Sequence, residues 1–488
     1  MSMYIKNDDT IYAPATVPGT GAISVIRVSG PEALAIADKV IRCRKGTISD
    51  ASGYTIKFGT THTTDGAVLD EVLVSIFRTP HSYTGENSVE ISCHASSYIV
   101  SSVMELLSAA GARAAEPGEF TQRAFLNGKM DLAQAEAVAD VIASQNAAAH
   151  RIAFKQMKGG FSSELKGMRS ELLELVSLME LELDFSEEEV EFADRSRLNE
   201  LLTALVEHIS RLIDSFKLGN AIKNGVPVAI AGATNTGKST LLNALLGEDR
   251  AIVSDIHGTT RDTIEETLNI DGVLFRFIDT AGLRQTDEVV EKIGIERTFK
   301  KISEASIVLG MIDLTRDLDS TCETVREIIE KVDFEAQKLV ILLNKTDVSE
   351  VNKNVIVLNF IVSSLGNKGI TSALTDESKT NNVDVPIIGI SAKTGSGIDN
   401  LRSILASSQR DLLADSDTTL VTNQRHVQAL TDARTSLLRV QEGLALNLPT
   451  DLAAQDIREA IYHLGSIVGE ISADEVLGNI FKNFCIGK

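Results

Sequence analysis

The stretch GATNTGKS, Gly232 to Ser239, sets two glycines, a lysine and a hydroxyl residue at the spacing G-x-x-x-x-G-K-S. That spacing suits a polyphosphate. The glycines let successive backbone N–H groups turn inward around an anion, at the start of a helix whose dipole favours negative charge. Lys238 then reaches the β- and γ-phosphates, and the Ser239 hydroxyl is placed to ligate Mg²⁺. Asn235, Thr236, Gly237 and Thr240 complete the loop and the first helical turn. Downstream, GTTRD (Gly258–Asp262) offers Thr259 and Thr260 to sense a terminal phosphate and its metal. DTAG follows, with Thr280 and Ala281 between Asp279 and Gly282; Asp279 can support the Mg²⁺ shell and the Gly282 N–H can face the γ-phosphate. NKTD (Asn344, Lys345, Thr346, Asp347) supplies a carboxylate that can accept from guanine N1–H and the exocyclic amine, where adenine presents the opposite pattern. SAK (Ser391, Ala392, Lys393) can offer a backbone N–H to guanine O6. Together these pieces specify a GTP-binding domain.

One position is informative by its chemistry. Ras-like switches place a water-orienting glutamine directly after Asp-x-x-Gly, and here that residue is Leu283. Leucine cannot hydrogen-bond a water, so hydrolysis must draw on another positioner and another positive charge. The sequence assigns no arginine to that task; Arg261 and Arg284 read as solvated residues of the switch loops.

The elements that must position these residues fall into three textures. Residues 1–128 mix strand-like runs (GAISVIRVS, EVLVSIF, SVEISCH) with helical stretches, as an α+β domain does. From 129 to 221 the chain is rich in Ala, Leu, Glu and Met at helical spacing, and 408–488 repeats that character. The simplest arrangement is one discontinuous α-helical domain built from both flanks. Between them, 222–407 alternates helices with apolar runs (VPVAIAG, LFRFIDTAG, SIVLGMIDL, KLVILLN, PIIGISA) of the kind a buried parallel sheet requires, predicting an inserted, doubly wound P-loop α/β domain. The polar stretch GNKGITSALTDESKTNNVD, between Asp347 and Ser391, reads as an enlarged surface loop. The whole is an α+β multidomain chain.

Composition bounds the function. At 488 residues, 43% hydrophobic and 24% charged, the chain is an ordinary globular mix. The formal net charge of −21 repels a phosphate backbone at long range, so nucleic acid must be met by a local basic patch or a basic partner. No apolar run is long enough for a membrane span, and MSMYIKNDDTIYAPATVPG lacks the apolar core of a secretory signal. Cys43, Cys93, Cys322 and Cys485 are scattered without a C-x-x-C pair, which points to a reducing, cytoplasmic location. Cys485 stands fourth from the end, in FCIGK, where a prenylated cysteine would sit; Gly487, Lys488 and the lack of an upstream basic run fit that modification poorly.

GATNTGKS, SDIHGTTRD, DTAGLRQTDEVVEKIGIER, NKTD and the terminal FCIGK, together with SYTGENSVEISCH and PGEFTQRAFLNGKMDLAQAEAVAD near the N-terminus, closely resemble the MnmE (TrmE) family of tRNA modification GTPases, within the TrmE-Era-EngA-like group. The resemblance spans essentially the whole chain. It implies a homodimer whose GTPase domains meet across their nucleotide faces, with K⁺ assisting beside the phosphates, and a partnership with the FAD-dependent protein MnmG. It further implies modification of the wobble uridine of tRNA, using a 5-formyl-tetrahydrofolate-type one-carbon donor, with no membrane involved. By the family pattern K⁺ is held by Asn235 and by backbone carbonyls of Ser254, Ile256 and Thr259, Thr260 joins Ser239 on Mg²⁺, and Asp255, His257 and Gly258 complete the nucleotide loop. Glu291 matches the family's catalytic glutamate. Arg27, Glu90, Lys129 and Lys488 match its folate-binding residues, and Cys485 becomes a candidate nucleophile beside the one-carbon donor. A carboxylate suits the pterin edge, and Arg or Lys suits the glutamate tail. Two rival readings are a ribosome-assembly GTPase, which would want a basic RNA-binding module, and a membrane-remodelling GTPase, which would want a lipid-binding segment.

Overall fold

The structure is a computed structural model. It describes residues 9–184, 195–247, 266–278, 303–374, 385–408, 419–446, 450–470, 477, 480–481, 484 and 487. These form two compact units, one of residues 1–143, 152–213 and 424–488, the other of residues 144–151 and 214–423.

The first unit opens on strands β1 (Ile11–Pro14), β2 (Ile23–Ser29), β3 (Ile41–Cys43), β4 (Thr55–His62), β5 (Val68–Phe77), β6 (Ser88–His94) and β7 (Arg113–Ala114), paired in the order β3-β4-β5-β6-β2-β1-β7. The pairs from β3 to β1 are antiparallel, and β1 with β7 is parallel. Alternation sorts the faces, because successive side chains in a strand point to opposite sides. Ile26, Val28, Val72, Val74, Ile76, Val89 and Ile91 turn inward against the helices Ala33–Val40 and Ser97–Ala109, whose Ala37, Val103 and Leu107 are fully buried. The opposite face carries Arg27 and Glu90.

Helices Leu132–Ala143, Gly160–Asp184, Gln424–Ala445 and Thr450–Val468 continue this unit, with Arg195–Asn224 contributing its residues to Ile213. Thr450–Val468 packs on both Gln424–Ala445 and Gly160–Asp184. Its buried residues, Ala453, Ala454, Ile457, Ala460, Ile461, Leu464, Ile467 and Val468, recur every three or four positions and so make one stripe. Glu136 joins chain segments 289 residues apart. It accepts from Arg425 Nε and Nη2 at 3.0 and 2.8 Å and lies 2.7 Å from His426 Nε2. Arg425 also donates to the Ser466 and Ile467 carbonyls, satisfying the open end of helix Thr450–Val468.

The second unit holds β8 (Val226–Ala231), β9 (Glu266–Ile270), β10 (Val273–Phe277), β11 (Ile307–Asp313), β12 (Lys338–Asn344), β13 (Ser372–Leu374) and β14 (Val385–Gly389), in the order β13-β14-β12-β11-β8-β10-β9. β11 is buried at every residue and β12 at all but its first, as a central parallel sheet covered on both faces demands. The sheet is not wholly parallel. β9 runs antiparallel to β10 because Asp271 and Gly272, at φ 50° and 85°, form a two-residue hairpin turn. The segment expected as one enlarged loop is also more ordered than its polarity suggests: helix Val351–Gly366 precedes it and β13, inside it, pairs with β14. Residues 375–384 lie outside the described residues.

Candidate functional site

In the second unit, β8 ends at Ala231 and helix Lys238–Leu246 begins seven positions later, with Gly232–Gly237 as the loop between. Gly232 runs so close to the neighbouring strand that a Cβ would stand 2.5 Å from the Met311 carbonyl oxygen. Gly237, at φ 99°, would meet Asn344 Nδ2 at 2.7 Å. Thr234 and Asn235 form the exposed crest of the loop, and Thr236 is buried at its base with its hydroxyl donating to the Ala233 carbonyl at 2.9 Å. Lys238 Nζ donates to the carbonyls of Gly232 and Ala233, both at 2.8 Å. Burial, and then the charge of Arg316, push this ammonium down to about 8. An anion bound beside this ammonium would raise it again, by favouring the charged form.

Asn344 joins the site together. Its Nδ2 donates to the Thr236 carbonyl at 2.7 Å, and its Oδ1 accepts from the Ala392 N–H at 3.0 Å. One buried side chain therefore fixes the phosphate loop against both base-recognition segments. Thr346 donates twice to the Ile390 carbonyl, through N and Oγ1, at 3.2 and 3.0 Å. Ser391 is buried and bridged to Ser396, while Asp347 and Lys393 are exposed at the surface they would present to a base. Ser239 and Thr240 occupy the first turn of the helix after Lys238. Of the expected site, Ser254, Asp255, Ile256, His257, Gly258, Thr259, Thr260, Asp279, Thr280, Ala281, Gly282 and Glu291 lie outside the described residues, as do Arg261, Leu283 and Arg284.

Two residues here were missed by sequence reasoning. Asp313, the last residue of β11, accepts from Lys345 Nζ at 2.7 Å and from Thr315 Oγ1 at 2.7 Å. Burial raises its carboxyl, but these donors outweigh burial and hold it below the usual range. Arg316 donates to the Thr234 carbonyl at 2.7 Å. The signal was present in SIVLGMIDLTRD, an apolar strand ending on an acid with a base three residues on.

In the first unit, Arg27 on β2 and Glu90 on β6 are direct cross-strand partners. Arg27 Nε and Nη2 both donate to Glu90 Oε1, at 3.0 and 2.8 Å. The guanidinium lies over the rings of Tyr83 and Phe120, 5.3 and 5.7 Å from their centres. Its Nη1 donates to the Gly487 carbonyl at 3.2 Å, so the C-terminal segment reaches the pair across 460 residues of chain. Gly487 sits at φ 96° where a Cβ would be 2.2 Å from the Pro14 carbonyl, which leaves no room for a side chain. Upstream, Leu477, Ile480, Phe481 and Phe484 pack with Phe125, Met130, Leu132 and Ala135, fixing the tail's path. Lys129 donates to the Pro80 carbonyl at 2.9 Å, on the segment that carries Tyr83. Cys485 and Lys488 lie outside the described residues. Tyr83 and Phe120 went unremarked within SYTGEN and PGEF, because alternation and motif spacing do not say which aromatic residues will meet a cation. Among the described residues no cluster of three or more His, Cys, Asp or Glu could hold a metal ion, and no helix is long and apolar enough to cross a membrane.

A family model described as GTP-binding protein TrmE N-terminus matches residues 10–129, and one described as MnmE helical domain matches residues 132–485. The tRNA modification GTPase MnmE of Bacteroides thetaiotaomicron is 50% identical over 486 residues, covering 99% of this chain and 100% of that protein. That of Bacteroides fragilis is 51% identical over 485 residues, with the same shares. That of Flavobacterium johnsoniae is 50% identical over 485 residues, again covering 99% and 100%.

Proposed function

The chain belongs to the MnmE family of tRNA modification GTPases and hydrolyses GTP, and on that premise we propose that it acts with the FAD-dependent MnmG on the wobble uridine of certain tRNAs. The product is an aminomethyl-type (carboxymethylaminomethyl) group at C5, drawn from a one-carbon tetrahydrofolate. Residues 1–128 form the folate-binding and dimerisation domain, 129–221 with 408–488 the helical domain, and 222–407 the GTPase domain. The work is cytoplasmic.

The observation that carries this reading is the pair of bonds from Asn344 to Thr236 and Ala392, which gathers phosphate loop, NKTD and SAK into one bonded unit. In that unit Lys238 and the loop amides bind the β- and γ-phosphates, Ser239 with Thr260 holds Mg²⁺, and Asp347 reads guanine. Asn235, at φ 60° on the exposed crest, suits a K⁺ ligand together with Ser254, Ile256 and Thr259. K⁺ would supply positive charge beside the phosphates, and Glu291 would orient at one remove the attacking water that Leu283 cannot hold. GTP turnover is expected to run roughly tenfold or more faster in K⁺ than in Na⁺ buffer, because Asn235 supplies a ligand that a Na⁺-sized site would place badly. Equal rates in the two salts would contradict the assignment of Asn235.

The folate site would lie on the outer sheet face at Arg27 and Glu90, which the tail reaches at Gly487, with Lys129, Lys488 and Cys485 as its further residues. That face also supports the homodimer. Arg27 pairs with Glu90, Glu90 with Ser75 and Ser75 with Ile56, while Phe58 pairs with Leu73 on the next rung. Ile56 and Leu73 are 66% and 48% exposed, apolar surface that a second copy would cover. Glu90→Ala should weaken binding of 5-formyl-tetrahydrofolate about tenfold, the worth of one charge-assisted hydrogen bond. Unchanged affinity by calorimetry would remove Glu90 from the folate site.

A further inference from the structure

Three consecutive loop carbonyls are held by two cations. Lys238 takes those of Gly232 and Ala233, and Arg316 takes that of Thr234. The ammonium and the guanidinium are therefore neighbours on one rim of the phosphate loop. Their repulsion is felt, since Arg316 is the charge that adds to burial in lowering Lys238. Among the described residues the Arg316 guanidinium bonds a carbonyl, not a carboxylate, on a chain of net charge −21 where carboxylates abound. Two like charges kept together, with no carboxylate bonded to either among the described residues, are what an anion would relieve.

The arginine is also held in place before any ligand arrives. Asp313 Oδ1 accepts from the Thr315 N–H and hydroxyl at 2.9 and 2.7 Å. Lys353 Nζ donates to the Arg316 carbonyl. Asp317 caps the next helix, Leu318–Lys331, by accepting from Ser320 N at 2.8 Å. A backbone fixed on both sides leaves little ordering cost to be met on binding.

We propose that Arg316 is a phosphate-contacting residue that addresses the terminal phosphate of bound GTP, an inference that rests on the nucleotide site described above. The helix N-terminus and Lys238 reach the β- and γ-phosphates from the base of the loop. Thr234 lies on the crest, so a guanidinium anchored there faces the outermost phosphate. It stabilises the additional negative charge that distinguishes GTP from GDP, and its planar fork suits phosphate oxygens.

The test uses the full-length chain, with fluorescent GDP and a non-hydrolysable GTP analogue as probes. Arg316→Gln should bind GDP as the wild type does and lose about tenfold in affinity for the GTP analogue, the scale of one charge-assisted hydrogen bond. Retained GDP affinity shows at the same time that the variant is folded. Equal losses for both nucleotides would make Arg316 a brace for the Thr234 carbonyl and overturn the inference, as would no loss for either. A wild-type chain that binds neither nucleotide would sink the nucleotide reading itself.

Discussion

Asp347→Asn should lose GTP and gain XTP. On the proposed reading the carboxylate accepts two hydrogen bonds from guanine, one from N1–H and one from the exocyclic amine, and each charge-assisted bond is worth roughly 1.5–3 kcal/mol. Losing both corresponds to a KM for GTP higher by about a hundredfold or more. Xanthine carries a carbonyl where guanine has the amine, so an asparagine amide can donate to it, and turnover should return when XTP replaces GTP. The segment is positioned for this by its neighbours: Asn344 is locked to Thr236 and Ala392, Lys345 to Asp313, and Thr346 to Ile390. Asp347, exposed at the end of that run, can change without disturbing them. Steady-state kinetics with the two nucleotides decides the matter; a variant that fails on XTP as badly as on GTP would show that Asp347 does not read the base.

Glu136→Ala should strongly destabilise the first unit. Burial raises this carboxyl, but His426 and Arg425 more than reverse the effect and hold it near about 2. Removing the carboxylate breaks the ion pair with Arg425 and leaves the buried His426 ring without this hydrogen-bond partner, which costs about 3–5 kcal/mol. At roughly 2–4 °C per kcal/mol for a unit of this size, thermal unfolding should move down by about 10 °C. The sign of the pH dependence follows from the lowered value. A depressed carboxyl contributes stability that is complete above its ordinary range near pH 4.5 and is lost as pH falls toward 2. That contribution amounts to about 3 kcal/mol. The wild type should thus lose stability steeply along that acid limb, and Glu136→Ala should follow a visibly shallower curve. Parallel curves would show that the cluster is not what holds the two chain segments together.

Much of the second unit was legible. The apolar runs VPVAIAG, SIVLGMIDL, KLVILLN and PIIGISA became β8, β11, β12 and β14, because a strand buried on both faces has to be apolar throughout. ETLNI escaped notice, since five residues with three of them polar carry little alternation, and its antiparallel direction depends on the Asp271-Gly272 turn instead. TSAL is too short to announce itself as β13; it is a strand only because β14 offers it an edge. In the first unit GAISVIRVS and SVEISCH read correctly as strands, but nothing in either predicts that Arg27 and Glu90 stand opposite one another. Register is set by the pairing of whole strands, not by the residue that benefits from it.

By itself the sequence determined the chemistry on offer: a phosphate loop, a guanine-reading NKTD and SAK, and a chain-wide likeness to one family, because these depend on residue types at short, fixed spacings that local backbone geometry enforces. Only the tertiary structure decided which distant groups meet. It placed Gly487 against Arg27, Glu136 against Arg425 and His426, and Arg316 beside Lys238. Those meetings depend on where buried faces force the chain to return, and a long-range contact leaves no period in the sequence from which it could be read.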